Sequence, residues 1–367
     1  MHRLGRPATA LAALALLLTL AACGPAPAPA PHLYSFEGGT MGTRYQVKLV
    51  VDDPLASAQV ERVETAIEAE LETVNRSMST YIDESEISHF NRRVGTEPMA
   101  LTPPLRDVVT EALAVASASD GAFDVTVGPL IAAWGFGSDA DELPQPPDAD
   151  TLTALLESIG SDKLIYDADA GTLAKVDADI AIDLSGIAKG YAVDRVADAL
   201  EAEGYADFMV EVGGEIRTRG HNRTGRPWRI GIEEPSISAL PGTNAVRLVD
   251  LSDLAMATSG DYRNYRETAD GRRIAHIIDP RSGQPIAHRV ASVTVIDPRC
   301  LRADAWATAL IVLGLDDGLR RAEANELAAL FLVRGDDGFS AHTTSAFQQL
   351  LRDAADAAPS PAPTTES

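Results

Sequence analysis

Cysteine is nearly absent from this 367-residue chain, which has only Cys23 and Cys300. Two cysteines cannot build a disulfide framework or a Cys-rich zinc site, so the fold depends on its hydrophobic core. Basic charge is also scarce, with 31 Lys and Arg against 54 Asp and Glu and a formal net charge of −23. That balance argues against nucleic acid and against electrostatic attachment to anionic lipid. A polyanionic substrate would need a metal ion or very local basic groups. Several catalytic signatures are missing too. No Cys or His cluster has zinc spacing, no Ser-His-Asp order stands out, and neither G-x-G-x-x-G behind a strand nor a Walker A loop is found. The apolar run Ala8 to Leu20 is too short for a comfortable membrane span.

That run has a different use. His2, Arg3 and Arg6 precede it, and residues 1–22 read as a signal peptide. The sequence Leu20-Ala21-Ala22-Cys23-Gly24 looks like a bacterial lipobox, so Cys23 is expected to carry lipid and become the N-terminus. Residues 23–32 then form a Pro/Ala-rich linker. At roughly 3.1 Å per residue, its Gly24–Pro31 stretch would lift the downstream chain about 25 Å from the bilayer. At the other end, residues 353–367 are rich in Ala, Pro, Ser and Thr and are expected to be a disordered tail.

Between them, 33–352 shows no internal linker and reads as one domain. Val60, Val63, Ile67, Leu71, Val74 and Met78 recur at helical spacing, which predicts a helix over 57–78. Further helices are expected after Pro103-Pro104 and over 148–159, 187–203, 301–314 and 316–325. Strands are expected at 45–51, 163–166, 172–176, 180–184, 208–212, 228–232, 246–251, 274–278, 290–295 and 328–333. Grouped strands with interspersed helices point to an α+β fold with a mixed, largely antiparallel sheet and flanking helices.

Chemistry-bearing residues cluster in a few loops. "IDLSGIAKGY" (182–191) turns from an apolar segment into a helix, with Asp183 before the turn, Gly186 within it and Lys189 after it. Such a helix start can cradle phosphate, or it can be a plain connection. Asp304 and Thr308 stand at i and i+4 and share a helix face; their oxygens suit Mg²⁺, though Asp304 alone would also favour a helix's first turn. His276 enters an Asp-Pro turn, where it is either structural or catalytic. "GGTMGT" (38–43) surrounds Met41 with glycines, either for a flat apolar ligand or for a tight turn. "GAFDVTVGPL" (121–130) is a small-residue loop or a packed corner.

Taken in order, "GTMGTRY" (39–45), "MSTYIDESEISHFN" (78–91), "GAFDVTVGPL" (121–130), "IDLSGIAKGYAVD" (182–194), "VEVGGEI" (210–216), "SGDYRNY" (259–265), "HIIDPRSGQP" (276–285) and "ADAWATAL" (303–310) resemble the ApbE family of FAD:protein FMN transferases. The resemblance covers nearly all of 33–335. It implies cleavage of FAD at its diphosphate, transfer of FMN to a threonine of a target protein, and release of AMP. It implies acceptors among subunits of membrane redox complexes of the Rnf, Nqr or NosR type, and a lipid anchor on the periplasmic face of the inner membrane. By motif position Met41 and Tyr81 would meet the flavin, and Ala122, Phe123 and Asp124 the adenosine. Asp183, Lys189 and Ile277 would line the FAD site. Asp304, Thr308 and the Gly186 carbonyl would hold Mg²⁺, and His276 would be the catalytic base. The resemblance leaves two rivals: a Mg²⁺-dependent FAD pyrophosphatase, and a non-catalytic flavin-binding lipoprotein.

Overall fold

The computed structural model describes residues 30–136, 146–235, 245–261, 265–267, 273–336 and 338–357. Cys23, the leader and residues 358–367 lie outside the described residues, as does the stretch from Gly137 to Gln145. Eight strands form the main sheet: β1 His32–Thr40, β2 Thr43–Val51, β3 Asp207–Val212, β4 Glu215–Arg219, β5 Ala255–Gly260, β6 Val290–Asp297, β7 Ala328–Gly335 and β8 Gly338–Thr343. Their order across the sheet follows the chain, so each strand pairs antiparallel with its predecessor. Every strand pairing among the described residues is antiparallel, a purer arrangement than the mixed sheet expected from sequence.

The sheet is covered on both faces, and the strands show it by alternation. In β3, Phe208, Val210 and Val212 enter the larger core, whereas Met209 enters a second one. The larger core lies under three helices: α1 Ser57–Met78, α6 Ala188–Ala202 and α7 Cys300–Ala324. The second core packs a two-stranded ribbon, Trp228–Glu233 with Ala245–Leu251, and helix α8, Ser345–Ala357, onto the opposite face. The remaining helices are α2 Glu86–Arg92, α3 Pro103–Ala118, α4 Gly128–Ala133 and α5 Ala149–Ser158. Among the described residues no helix is long and apolar enough to cross a membrane.

The structure corrects several sequence-based expectations. Strand β1 begins at His32, inside the segment expected to be linker, because Leu33, Tyr34 and Phe36 have β2 to pair with. Helix α8 runs to Ala357, five residues into the expected tail, with Phe347 wholly buried as its anchor. Over 301–325 the expectation holds: the helical stretch Cys300–Ala324 is two helices that meet at a break at Gly314, whose φ is 76°. His288 Nε2 donates to the Ile311 carbonyl at 2.7 Å just before that break.

The segment 180–184 is not a strand. Its apolar side chains are buried, but no neighbouring strand takes its peptide groups. A side-chain amide does so instead: Asn91 Oδ1 accepts from Ile182 N at 2.7 Å and Asn91 Nδ2 donates to Ile182 O at 2.8 Å. The buried ammonium of Lys175 collects the carbonyls of Asn91, Ala178 and Ile180. We expect Asn91→Ala to destabilise the fold by about 2 kcal/mol, since it leaves both polar groups of Ile182 unpaired. Urea unfolding measures this, and a loss below about 0.5 kcal/mol, the range of neutral surface changes, would contradict it.

Candidate active site

The N-terminal ends of α6 and α7 meet, and the site is built where they do. Gly190 makes the approach possible: a Cβ there would lie 2.4 Å from the Cys300 carbonyl oxygen. Its amide donates to Asp304 Oδ2 at 2.9 Å, so Asp304, 2 % exposed, is fixed through one oxygen. The other oxygen, Oδ1, stands 3.7 Å from Lys189 Nζ. One turn further along α7, Thr308 Oγ1 lies 3.4 Å from the Gly186 carbonyl and 3.1 Å from Ser259 Oγ at the end of β5.

Lys189 is held from the sheet side as well. The β3–β4 turn runs through Gly213 and Gly214, both at positive φ. A Cβ on Gly213 would come within 3.1 Å of Lys189 Cδ, so the glycine leaves room for the lysine stem. Glu215, the first residue of β4, sets Oε1 3.4 Å from Lys189 Nζ, while its Oε2 is buried without a hydrogen-bond partner. Burial alone would lower the lysine's affinity for its proton. The carboxylates of Asp304 and Glu215 outweigh it and hold Lys189 well above the usual lysine range. Burial pushes the Glu215 carboxyl up to about 8, with Lys189 opposing and Asp304 adding to the shift. Cys300, beside the cluster, is no nucleophile, because burial and then Asp194 push its thiol well up.

The oxygen donors here fit a hard cation. Among the described residues no three carboxylate, imidazole or thiol groups gather as a metal cluster. A cation at this point would draw on one carboxylate, one hydroxyl and one backbone carbonyl, the sparse protein set that Mg²⁺ accepts when substrate phosphates and water complete its shell. Two acids facing one ammonium leave the pocket short of positive charge.

Of the other expected site residues, Phe123 and Asp183 are tied to the helix start that carries Gly186. A Cβ on Gly186 would be 3.3 Å from the Phe123 ring, so the 121–128 loop lies against the helix start. Asp183 N donates to the Val125 carbonyl at 2.7 Å and zips the two loops together, while its carboxylate accepts from Ser185 N. Ala122 is buried. Both oxygens of Asp124 are engaged by Thr126 and Ser161, so its visible work is to shape the loop. Met41 sits at the tip of the β1–β2 hairpin with φ 49°, half-buried against the larger core. Tyr81, on the connection between α1 and α2, is 74 % exposed and stands out into solvent. Ile277 packs against the core, and its carbonyl accepts from Ile286.

His276 lies on a bend, not in the continuous strand expected over 274–278. Two short pairs, Tyr265–Glu267 with Arg273–Ala275 and Ile278–Asp279 with Gln284–Pro285, end on either side of it. Its ring is edge-on to Phe136, with centroids 6.4 Å apart. Sequence reading passed over Glu215, Ser259 and Gly190. An acid opening a strand after two glycines was the available signal for Glu215; nothing in composition marked Ser259 or Gly190.

The raised Glu215 carboxyl has a measurable consequence. Between its ordinary value of 4.5 and about 8, the native chain keeps a proton that the unfolded chain has released. Stability from this group is therefore greatest at low pH and declines as pH rises through that window. Urea unfolding of wild type and Glu215→Gln from pH 5 to 8 should show the variant gaining on wild type as pH increases. Parallel curves would contradict the shift.

Comparison with known proteins agrees with this geometry. The family model described as "ApbE family" matches residues 41–331. An FAD:protein FMN transferase of Vibrio cholerae serotype O1 is 45 % identical over 86 % of this chain and 91 % of its own length. One from Haemophilus influenzae is 42 % identical with the same coverages. Among solved structures, the flavin transferase ApbE from Vibrio cholerae superposes with a TM-score of 0.78 at 42 % identity, covering 87 % of this chain and 99 % of that one. The apo form of the Pseudomonas stutzeri flavinyl transferase ApbE gives 0.78 at 40 % identity, covering 87 % and 97 %. With residues 41–331 matched by the family model and the Vibrio and Haemophilus relatives at least 42 % identical over 86 % of its length, the chain belongs to the ApbE family.

Proposed function

We infer that this chain is an FAD:protein FMN transferase that works with Mg²⁺ on a threonine of a partner protein. One observation carries the cation reading: Asp304, whose Oδ1 lies 3.7 Å from Lys189 Nζ, shares a face of α7 with Thr308, whose hydroxyl lies 3.4 Å from the Gly186 carbonyl. FAD is the substrate. The acceptor oxygen forms a bond to the FMN phosphorus, the bond from that phosphorus to the AMP phosphate oxygen breaks, and AMP leaves with that oxygen. Bound between those donors, Mg²⁺ would neutralise diphosphate charge and favour displacement.

The chain's own groups supply the rest. Lys189 places a fixed positive charge at the diphosphate wall, with no reorganisation needed when charge shifts. The 121–128 loop, zipped to the Asp183 segment, supports the adenosine end. Met41 and the exposed Tyr81 are left for the flavin. His276, on its bend beside Phe136, takes the threonine proton as the general base. Lipid on Cys23 would hold the domain at the periplasmic face of the inner membrane, near flavin-carrying subunits of the Rnf, Nqr or NosR type.

Incubation with FAD, Mg²⁺ and an acceptor domain of proven competence should add an FMN mass to the acceptor and release AMP. AMP without the mass increment would make the chain an FAD pyrophosphatase, and neither product would leave a flavin binder. Losing a residue that only supports a metal ligand typically costs 10–100-fold, so Asp304→Ala should lower labelling by at least about 100-fold. Full activity in that variant would overturn the metal assignment. Cys23→Ser should move the protein from the membrane fraction to the soluble one, and continued membrane attachment would refute the anchor.

A further inference from the structure

Helix α7 carries Asp304 and Thr308, yet it has no capping side chain of its own. Arg299 occupies the N-cap position and contributes no side-chain bond. The first free amides are taken from outside the helix. Asp194, on α6, accepts from Cys300 N through Oδ1 and from Leu301 N through Oδ2, each at 3.0 Å. Arg217 on β4 holds that carboxylate, with Nη1 3.0 Å from Oδ1, and is itself braced by Asp198 and Glu201. Asp194 is 6 % exposed, so this is a buried, paired carboxylate set at the positive end of a helix dipole.

Its placement relative to the cation donors is direct. Gly190 and Asp194 are four residues apart and share the α6 face that meets α7; Cys300 and Asp304 are four apart on the answering face. The clamp therefore grips α7 one turn, about 5.4 Å, before the carboxylate that the site uses. A helix transmits a shift of its first turn to the next two nearly undiminished, and coordination of a small hard cation tolerates little error.

We propose that Asp194, held by Arg217, is a positioning residue for the transfer reaction: it fixes the first turn of α7 and thereby sets where Asp304 and Thr308 stand. It acts through the helix alone. The proposal rests on the reading of Asp304 and Thr308 as cation ligands, and a metal titration paired with hydrogen exchange separates the two.

Mn²⁺, detectable by electron paramagnetic resonance, is titrated into the full chain and into Asp194→Asn, which keeps the side chain's volume but turns an NH₂ group toward a helix amide. We expect Mn²⁺ to bind about tenfold more weakly, the lower end of what removing a supporting residue does to metal affinity. Excess cation should restore most of the labelling rate, so that the activation constant moves and turnover does not. Hydrogen exchange should quicken about tenfold across 300–308 and stay unchanged in α1. Thr344→Val serves as the control, since it removes a buried hydroxyl that accepts from Ala329 N and from Phe347 N at the start of α8 and touches none of the residues named around α6 and α7. It should lower the melting temperature without touching Mn²⁺ affinity.

Arg217→Gln should give a smaller loss in the same direction and stands in if Asp194→Asn does not fold. Unchanged Mn²⁺ affinity and unchanged exchange in the Asp194 or Arg217 variant overturn the proposal. So does a loss of affinity matched by Thr344→Val. Quickened exchange in a chain whose wild type binds no Mn²⁺ upholds the clamp and overturns the cation reading instead.

Discussion

Two helix N-termini pressed against each other would ordinarily repel, because each carries the positive end of a dipole and unpaired amides. In this protein each helix answers the other's amides with a carboxylate. Asp194 of α6 takes the first amides of α7, and Asp304 of α7 takes the Gly190 amide of α6. The exchange lets the two backbones approach until only glycine fits at 190. It also brings Asp304 Oδ1, beside Lys189, and Thr308 Oγ1, beside the Gly186 carbonyl, to the place where the helices converge.

The acidic character of the whole chain makes that local arrangement more telling. A net charge of −23 repels a polyanion at long range, but screening confines such repulsion to about a Debye length, near 8 Å at physiological salt. Inside the site what counts is the immediate set of groups. Asp304 and Glu215 beside Lys189 outweigh its burial and raise its hold on the proton. Holding an ammonium this way has a consequence for Asp304, whose Oδ1 faces both Lys189 and the place a cation would take. Glu215 gives the ammonium a second partner, so its pairing does not depend on Asp304 alone.

How much of this could be read in the sequence depended on how local each cause was. The α1 periodicity, the Asp304–Thr308 spacing and the helix start after Gly186 are set within a few residues, and each stands where it was expected. The strand expected at 180–184 failed because alternation of apolar residues reports burial and not pairing. Ile182 is buried and extended, but Asn91 supplies the bonds that a neighbouring strand would have made. The Asp194–Cys300 contact links residues 106 apart, and nothing in either neighbourhood points to the other. Glu215 was legible only as an oddity, an acid opening a β-strand, and its meaning came from a lysine 26 positions earlier.

The order of strands explains why site residues from such scattered positions converge. Because the main sheet is an unbroken meander, the chemistry has to come from the connections between neighbouring strands. The β2–β3 connection brings Phe123, Asp183 and Lys189, and the β6–β7 connection, α7 itself, brings Asp304 and Thr308. Register puts the Met41–Gly42 turn, the Gly213–Gly214 turn and the end of β5 at the same edge of the sheet, where Lys189 and Thr308 are also held. Positive φ at both Met41 and Gly42 is the mark of a tight hairpin turn that asparagine or glycine makes with less strain. Methionine there costs on the order of 1 kcal/mol. The half-buried packing of its side chain offsets part of that, and the rest is strain kept at the end of the sheet where Lys189 and Thr308 are held.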